Sequence, residues 1–278
     1  MVTDVQRQLG LLREMGKTAH FTTVLVGNDP ASKKYIDMKQ SEGSTIGVSM
    51  ARVDLPADIS QSDLNSKIAE LNNDLAINAI LIQYPLPGKL NYLESISQIE
   101  PNKDVDGLHP YNLGLIMHDP QGNYPGIIPC TPNGIVQLLE HGGVKLEGAD
   151  VAVVGRGMTV GAPLSMLLSA KNNGPGATVT TLHRHTKDLS KHIKNADIVI
   201  GATGVPNLID DTMVKQDAIL VSVGVSYDSN GRARGDFTDE ARKKADIYIP
   251  VTGGIGPMTR ANLWQNVLKC YELQQDNN

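Results

Sequence analysis

The sequence predicts an α/β fold with mostly parallel sheets, arranged as two α/β domains. Three observations predict it. Short β-rich apolar runs alternate with amphipathic stretches of helical length, the pattern of repeated strand–helix–strand units. Several of the runs are apolar without alternation, as expected of strands covered on both faces. The segment 118–132, HDPQGNYPGIIPCTP, is rich in Pro and Gly, has no periodicity and separates one set of runs from the other.

Taken in order, residues 1–16 are polar and amphipathic. Strands are predicted at 20–26, 48–53 and 78–83 in the first block, and at 150–154, 177–182, 197–202, 218–223 and 246–251 in the second. Amphipathic helices are predicted over 61–74, 132–141 and 161–171. Another helix is expected from Asn28 or Asp29, with Pro30 in its first turn and Gly43 ending it. From Pro257 onward the pattern is helical. The expected domains are 1–121, with the helix 257–278 packing back on it, and 122–256.

Composition limits the function. Of 278 residues, 40% are hydrophobic and 20% charged, the balance of a globular protein. Acidic residues outnumber basic ones 30 to 25, and no basic run stands out, so neither nucleic acid nor a membrane surface is an expected partner. No stretch is long and apolar enough for a membrane helix, and the start lacks a signal-peptide core; a cytoplasmic location is the expectation. Cys130 and Cys270 are too few for a disulfide framework or a cysteine metal site.

Residues 149–164, ADVAVVGRGMTVGAPL, place a buried strand before Gly155-Arg156-Gly157 and a helix beginning near Gly161. Glycines at 155 and 157 permit a tight turn and a close backbone approach to a pyrophosphate. Gly161 lets the helix pack on the strand, and the helix N-terminus attracts the anion. The spacing G-x-G-x-x-x-G is one residue longer than the common fingerprint. The next strand ends in His183-Arg184-His185-Thr186, without the acid that would bind the ribose hydroxyls of NAD. Arg184, with Arg156, suits a 2′-phosphate, so NADP is the expected cofactor. The second block is thus a Rossmann-type domain.

Tyr35 and Lys39 lie four apart on one helical face. A lysine of lowered pKa can serve as general acid and base; by itself, the pair reads first as exposed helix surface. Tyr-x-x-x-Lys also occurs in short-chain dehydrogenases, but there it follows the glycine turn, whereas here it precedes it. Gln83-Tyr84-Pro85-Leu86-Pro87-Gly88 follows a buried strand, placing Gln83 where open α/β sheets bind ligands. Asp104 and Asp106 lie two apart in a turn-rich segment without metal-ligand spacing, so no metal is expected. His109 reads as a loop residue, Cys130 as structural, and Asn133 and Gly134 as the cap and turn that open a helix.

Together these motifs resemble the bifunctional 5,10-methylenetetrahydrofolate dehydrogenase/methenyltetrahydrofolate cyclohydrolase family. The segments are Y-x-x-x-K after DPAS, Q-x-P-L-P, P-x-K-D-V-D-G, P-C-T-P, V-V-G-R-x-x-x-V-G-x-P and G-G-x-G-P-M-T, in that order over about 20–270. The resemblance implies tetrahydrofolate substrates, a homodimer and an active site in the cleft between two domains. It implies oxidation of 5,10-methylenetetrahydrofolate with NADP, then hydrolysis to 10-formyltetrahydrofolate. Lys39 would be catalytic and tuned by Gln83, with Tyr35 against the folate rings and Asp106 rather than Asp104 on the pterin edge. Ile82, Tyr84 and the segment Gly253, Gly254, Ile255, Gly256 and Pro257 would complete the substrate site, with Pro257 starting a helix. Gly155, Arg156, Gly157, Gly161, Arg184, His185, Thr186 and Val225 would hold the cofactor. The chain departs from the family at Gly157, where Ser is commoner, at Ser222, where Asp is usual, and at Thr252, where Pro is usual. A shikimate-type NADP dehydrogenase and a non-enzymatic NADP sensor are the alternatives.

Overall fold

A computed structural model describes residues 2–118, 124–171 and 174–275. The expected domain boundary at 121/122 lies outside the described residues. The chain divides into two compact units. One comprises Met1–Gly114, Pro125–Ile128 and Arg260–Asn278; the other comprises Leu115–Tyr124 and Pro129–Thr259.

The first unit opens with α1 (Val2–Glu14), β1 (His20–Val26), α2 (Pro30–Ile46), β2 (Ser49–Leu55), α3 (Gln61–Asn73), β3 (Ala79–Ile82), α4 (Tyr92–Ile96) and α5 (Pro110–His118). Its sheet is fully parallel with order β2-β1-β3. β1 is central and buried at every position after His20, the signature of a strand covered on both faces.

The local chemistry of α2 decides the geometry of the first site. Asp29 caps it by accepting from the backbone N–H of Ser32 at 2.7 Å, with Pro30 in the first turn. The helix does not stop at Gly43 as expected. It runs to Ile46 and ends on Gly47 at φ +96°, with the N–H groups of Gly47 and Val48 both returning to the Gly43 carbonyl. Gly43 is instead a packing residue, because a Cβ there would lie 2.7 Å from the Met50 sulfur and 3.1 Å from the ring of Trp264. Ser32, Ile36, Lys39, Gly43 and Ile46 form one buried stripe at helical spacing. Lys39 therefore occupies a core-facing position.

The second unit holds α6 (Cys130–His141), β4 (Asp150–Val154), α7 (Gly161–Leu168), β5 (Thr178–Leu182), α8 (Leu189–Ile193), β6 (Ile198–Gly201), β7 (Ile219–Ser222), β8 (Ser226–Tyr227), β9 (Ala233–Arg234), α9 (Asp239–Lys244) and β10 (Ile247–Ile249). Its five-stranded sheet is parallel with order β10-β7-β6-β4-β5. The chain steps from β4 outward to β5, then returns past β4 to β6. The carboxyl ends of β4 and β6 are thus the point where strand order reverses, where such sheets bind ligands. Val154, Leu182, Val199, Leu220 and Phe237 belong to the core on one face of this sheet.

Two helices begin earlier than expected. Asn133 and Gly134 do not open a helix, because α6 already begins at Cys130; Gly134 is small because Met258 packs within 3.0 Å of where its Cβ would stand. The last helix, α10 (Ile255–Gln275), begins two residues before Pro257, which lies in the first turn where a missing N–H costs nothing. Among the described residues no helix is long and apolar enough to cross a membrane.

Candidate active site

In the first unit, Lys39 is only 5% exposed and its ammonium lies 4.4 Å from the centroid of the Tyr35 ring. The cation rests on an aromatic face, an attraction that strengthens as water is excluded. Gln83 leaves the carboxyl end of β3, where its backbone N–H still pairs with Val24 of β1 at 2.9 Å. Its side-chain amide nitrogen donates to the Tyr84 carbonyl at 2.9 Å, while its Oε1 is buried without a partner. Tyr84 is about half exposed and meets Tyr92 edge-on at 5.0 Å. Ile82 is buried in the strand.

The two aspartates have separate fates. Asp104 is 1% exposed and its Oδ2 accepts from the backbone N–H of His109 at 2.7 Å and from Asn112 Nδ2 at 3.0 Å. Burial raises its carboxyl to about 7 despite these donors, with the neighbouring Asp106 adding to the rise. Its backbone bridges Ile80 of β3, so Asp104 fastens the loop to the sheet. Asp106 is less buried and near enough to Tyr92 for its charge to help burial push that phenol up. His109 is a capping residue: its Nδ1 accepts from the backbone N–H of Tyr111 at 3.0 Å, which puts the ring proton on Nε2. Burial holds its imidazole below the usual range.

The second unit carries a cavity of about 770 Å³ at the strand-order reversal. Gly155, Arg156, Gly157, Arg184 and Thr186 are among its lining residues, as are Ala202, Thr203 and Val205. The glycines have distinct duties. Gly155 is at φ +121°, and a Cβ there would stand 2.4 Å from the Ala202 carbonyl oxygen. Gly161 opens α7, and a Cβ on it would stand 2.1 Å from the Gly155 oxygen. Gly157 has open space around it. Such a cradle fits a dinucleotide pyrophosphate, because bare backbone and a helix N-terminus face it.

The end of β5 is cationic. The Arg184 side chain meets His185 at 3.2 Å, and Thr186 Oγ1 accepts from the His183 N–H at 2.9 Å. Burial, together with the charges of Arg156 and His185, holds the His183 imidazole below its usual range. Val225 is exposed, and its carbonyl lies 3.5 Å from where a Gly204 Cβ would stand. Gly253 takes φ +77° in the turn before α10, while Gly254 packs against the Pro250 carbonyl; Ile255, Gly256 and Pro257 form the first turn of that helix. These five residues belong to the second unit, and Tyr35, Lys39, Gln83 and Asp106 to the first.

Residue reasoning missed Tyr92 and Asp236. Tyr92 begins a helix of five residues, too short for a periodic signal. Asp236 is fully buried and holds residues 203 and 204, a relation over 32 residues that no local pattern reveals.

A glycine cradle at the reversal point of a parallel sheet, with a buried lysine on a separate α/β unit, defines a dinucleotide-binding α/β enzyme. Sequence profiles narrow the class. Residues 1–106 match the tetrahydrofolate dehydrogenase/cyclohydrolase catalytic domain and residues 129–275 match its NAD(P)-binding domain. The chain belongs to the tetrahydrofolate dehydrogenase/cyclohydrolase family. The bifunctional methylenetetrahydrofolate dehydrogenase/cyclohydrolase of Campylobacter jejuni is similar at 35% identity and TM-score 0.91, over 98% of this chain and 95% of that one. The Trypanosoma brucei enzyme, solved with NADP and an inhibitor, is similar at 32% identity and TM-score 0.90, over 98% and 94%. The NAD-dependent methylenetetrahydrofolate dehydrogenase of Saccharomyces cerevisiae shares the fold at 23% identity and TM-score 0.82, over 100% and 95%.

Proposed function

We propose that the chain oxidises 5,10-methylenetetrahydrofolate to the methenyl cation with NADP in preference to NAD, and hydrolyses that cation to 10-formyltetrahydrofolate. The observation that carries the reading is the Lys39 amine, withdrawn from solvent onto the Tyr35 ring on the core-facing stripe of α2. Oxidation leaves a cation spread over two ring nitrogens, so that step needs orientation more than a strong base. Hydrolysis needs proton movement: water adds to the methenyl carbon and loses a proton, then the carbon–N5 bond breaks as N5 gains a proton and the hydroxyl gives up its own to become the formyl carbonyl. Lys39 is the group to carry those protons. Gln83 Oε1, buried and unpartnered, is available to accept from Lys39 and tune it. Tyr35, Ile82 and Tyr84 form the apolar surround of the folate rings, and Asp106 accepts from the pterin edge.

The bound dinucleotide supplies the hydride acceptor. Gly155, Arg156 and Gly157 hold its phosphates, and the Arg184–Thr186 segment with Arg156 holds the 2′-phosphate, because guanidinium groups bind phosphate well and residues 183–187 include no acid. Gly161 keeps α7 close to the turn, and Val225 adjoins the cavity wall. The first compact unit is the catalytic domain and the second the cofactor domain, and the working assembly is a homodimer.

The test is a spectrophotometric assay with 5,10-methylenetetrahydrofolate and either cofactor. The expected result is turnover favouring NADP, with hydrolysis of added methenyl substrate lost in Lys39→Ala. Arg184→Ala should raise KM for NADP about tenfold and leave KM for NAD unchanged, the loss of one charged hydrogen bond. Folded protein with no turnover on either cofactor would refute the reading.

A further inference from the structure

We propose that Asp236 is a positioning residue for cofactor binding, its carboxylate shaping one wall of the dinucleotide cavity by holding the loop that follows β6. The proposal rests on the reading that this cavity takes the dinucleotide. Ala202, Thr203, Val205 and Leu208 supply that wall. Asp236 is fully buried, and its two oxygens divide the work: Oδ2 accepts from the Thr203 N–H at 2.7 Å and Oδ1 from the Gly204 N–H at 3.0 Å. The backbone of the same segment completes the clasp. The Asp236 carbonyl accepts from Ile209 N–H at 2.9 Å, and the Gly235 carbonyl from Asn207 N–H at 3.1 Å. Four bonds thus tie residues 203–209 to a two-residue stretch that follows β9.

The surrounding glycines show how tightly the carboxylate is seated. A Cβ on Gly201 would stand 2.8 Å from the Asp236 Cβ, and one on Gly224 would stand 2.7 Å from Oδ1 and 2.3 Å from the Gly204 nitrogen. Gly201 ends β6 and Gly224 follows β7, so Asp236 lies where the exits of two neighbouring strands meet. A carboxylate is costly at so dry a position, and burial pushes its pKa up even against the donors from Thr203 and Gly204. An apolar side chain could fill the space, but it could not accept from two consecutive backbone N–H groups. What the acid contributes is the shape of the loop, and the loop is cavity wall.

The test uses the full chain with Asp236→Ala and Asp236→Asn. Three quantities are measured: Kd for NADP by calorimetry, KM for NADP in the oxidation, and hydrolysis of methenyl substrate without dinucleotide. Alanine frees both N–H groups, and asparagine keeps one acceptor while turning an amide N–H toward the other. The expected rise in Kd and KM for NADP is about 10- to 100-fold for alanine and smaller for asparagine. Hydrolysis by folded variant should keep its kcat and KM for the folate. Unchanged NADP affinity in a folded variant would overturn the proposal. So would a lower melting temperature with both activities falling in parallel, or failure of both variants to fold, since each marks a scaffold role alone. Wild-type protein that binds neither NADP nor NAD would overturn the cofactor reading and this proposal together. Dinucleotide binding without folate turnover would overturn only the folate chemistry, and the variants' Kd values would still decide the role of Asp236.

Discussion

Replacing Gly155 by alanine tests the geometry of the phosphate-binding turn most sharply. The residue is at φ +121°, outside the conformations an L-residue favours, and adopting it costs about 1–3 kcal/mol. The added Cβ would stand 2.4 Å from the Ala202 oxygen and 2.8 Å from its carbonyl carbon. Both are backbone atoms at the end of β6, which pairs with β4, so no side chain can swing aside. Overpacking of this kind adds about 1–3 kcal/mol. A total near 4 kcal/mol should lower the melting temperature by about 10 °C, at roughly 2–4 °C per kcal/mol for a chain of this size. Gly157→Ala, in the same turn, is the internal control: with open space around it, it should cost less than about 0.5 kcal/mol. Circular dichroism melts of both variants, with calorimetry, provide the comparison. Equal costs, or a larger cost at Gly157, would refute the steric reasoning.

Three further outcomes follow from buried polar groups. Asp104 has a carboxyl raised to about 7 in the fold and ionises at an ordinary carboxylate pKa when unfolded, so the native state binds the extra proton between about pH 4 and 7. Its contribution therefore falls as pH rises through that window. In Asp104→Asn, urea titrations should show that fall abolished relative to wild type; an unchanged difference across the window would contradict it. Lys103 donates to the carbonyls of Asn72 at 2.7 Å and Asp74 at 2.9 Å at the C-terminal end of α3. Lys103→Met should cost about 2–3 kcal/mol by chemical denaturation, and a cost under about 0.5 would deny the cap any weight. Ser222 is fully buried with a hydroxyl that has no partner, so Ser222→Ala should be neutral or slightly stabilising in a thermal melt. A marked loss of stability there would show that the hydroxyl is engaged.

The strands were legible because their signal is local. β1 and β4 have the expected bounds, and the others shift by only a few residues. Strand order was not legible, since nothing in the runs at 150–154 and 197–202 says that they are neighbours. α2 illustrates the limit well. Gly43 reads as a stop, yet it sits inside the helix for the sake of Trp264, more than two hundred residues away. The short helices α4, α8 and α9 and the β8–β9 hairpin carry too few residues for periodicity to register. At the candidate site, the residue types at 35, 39, 83 and 155–157 were readable as chemistry. The split between Asp104 as fastener and Asp106 as the more open acid was not, because it depends on which of the two the sheet buries. Asp236 was invisible for the same reason.

Trp264 is the chain's one tryptophan. It is 2% exposed, lies edge-on to Phe21 at 6.2 Å and closes over Gly43 on the helix that carries Lys39. Its indole belongs to the first compact unit, and the second has no tryptophan at all. The protein thus comes with a built-in optical label confined to its lysine-bearing half. Tryptophan emission during denaturation will follow that half alone, while backbone circular dichroism follows both. Any gap between the two curves is a direct readout of whether the halves melt together or one at a time.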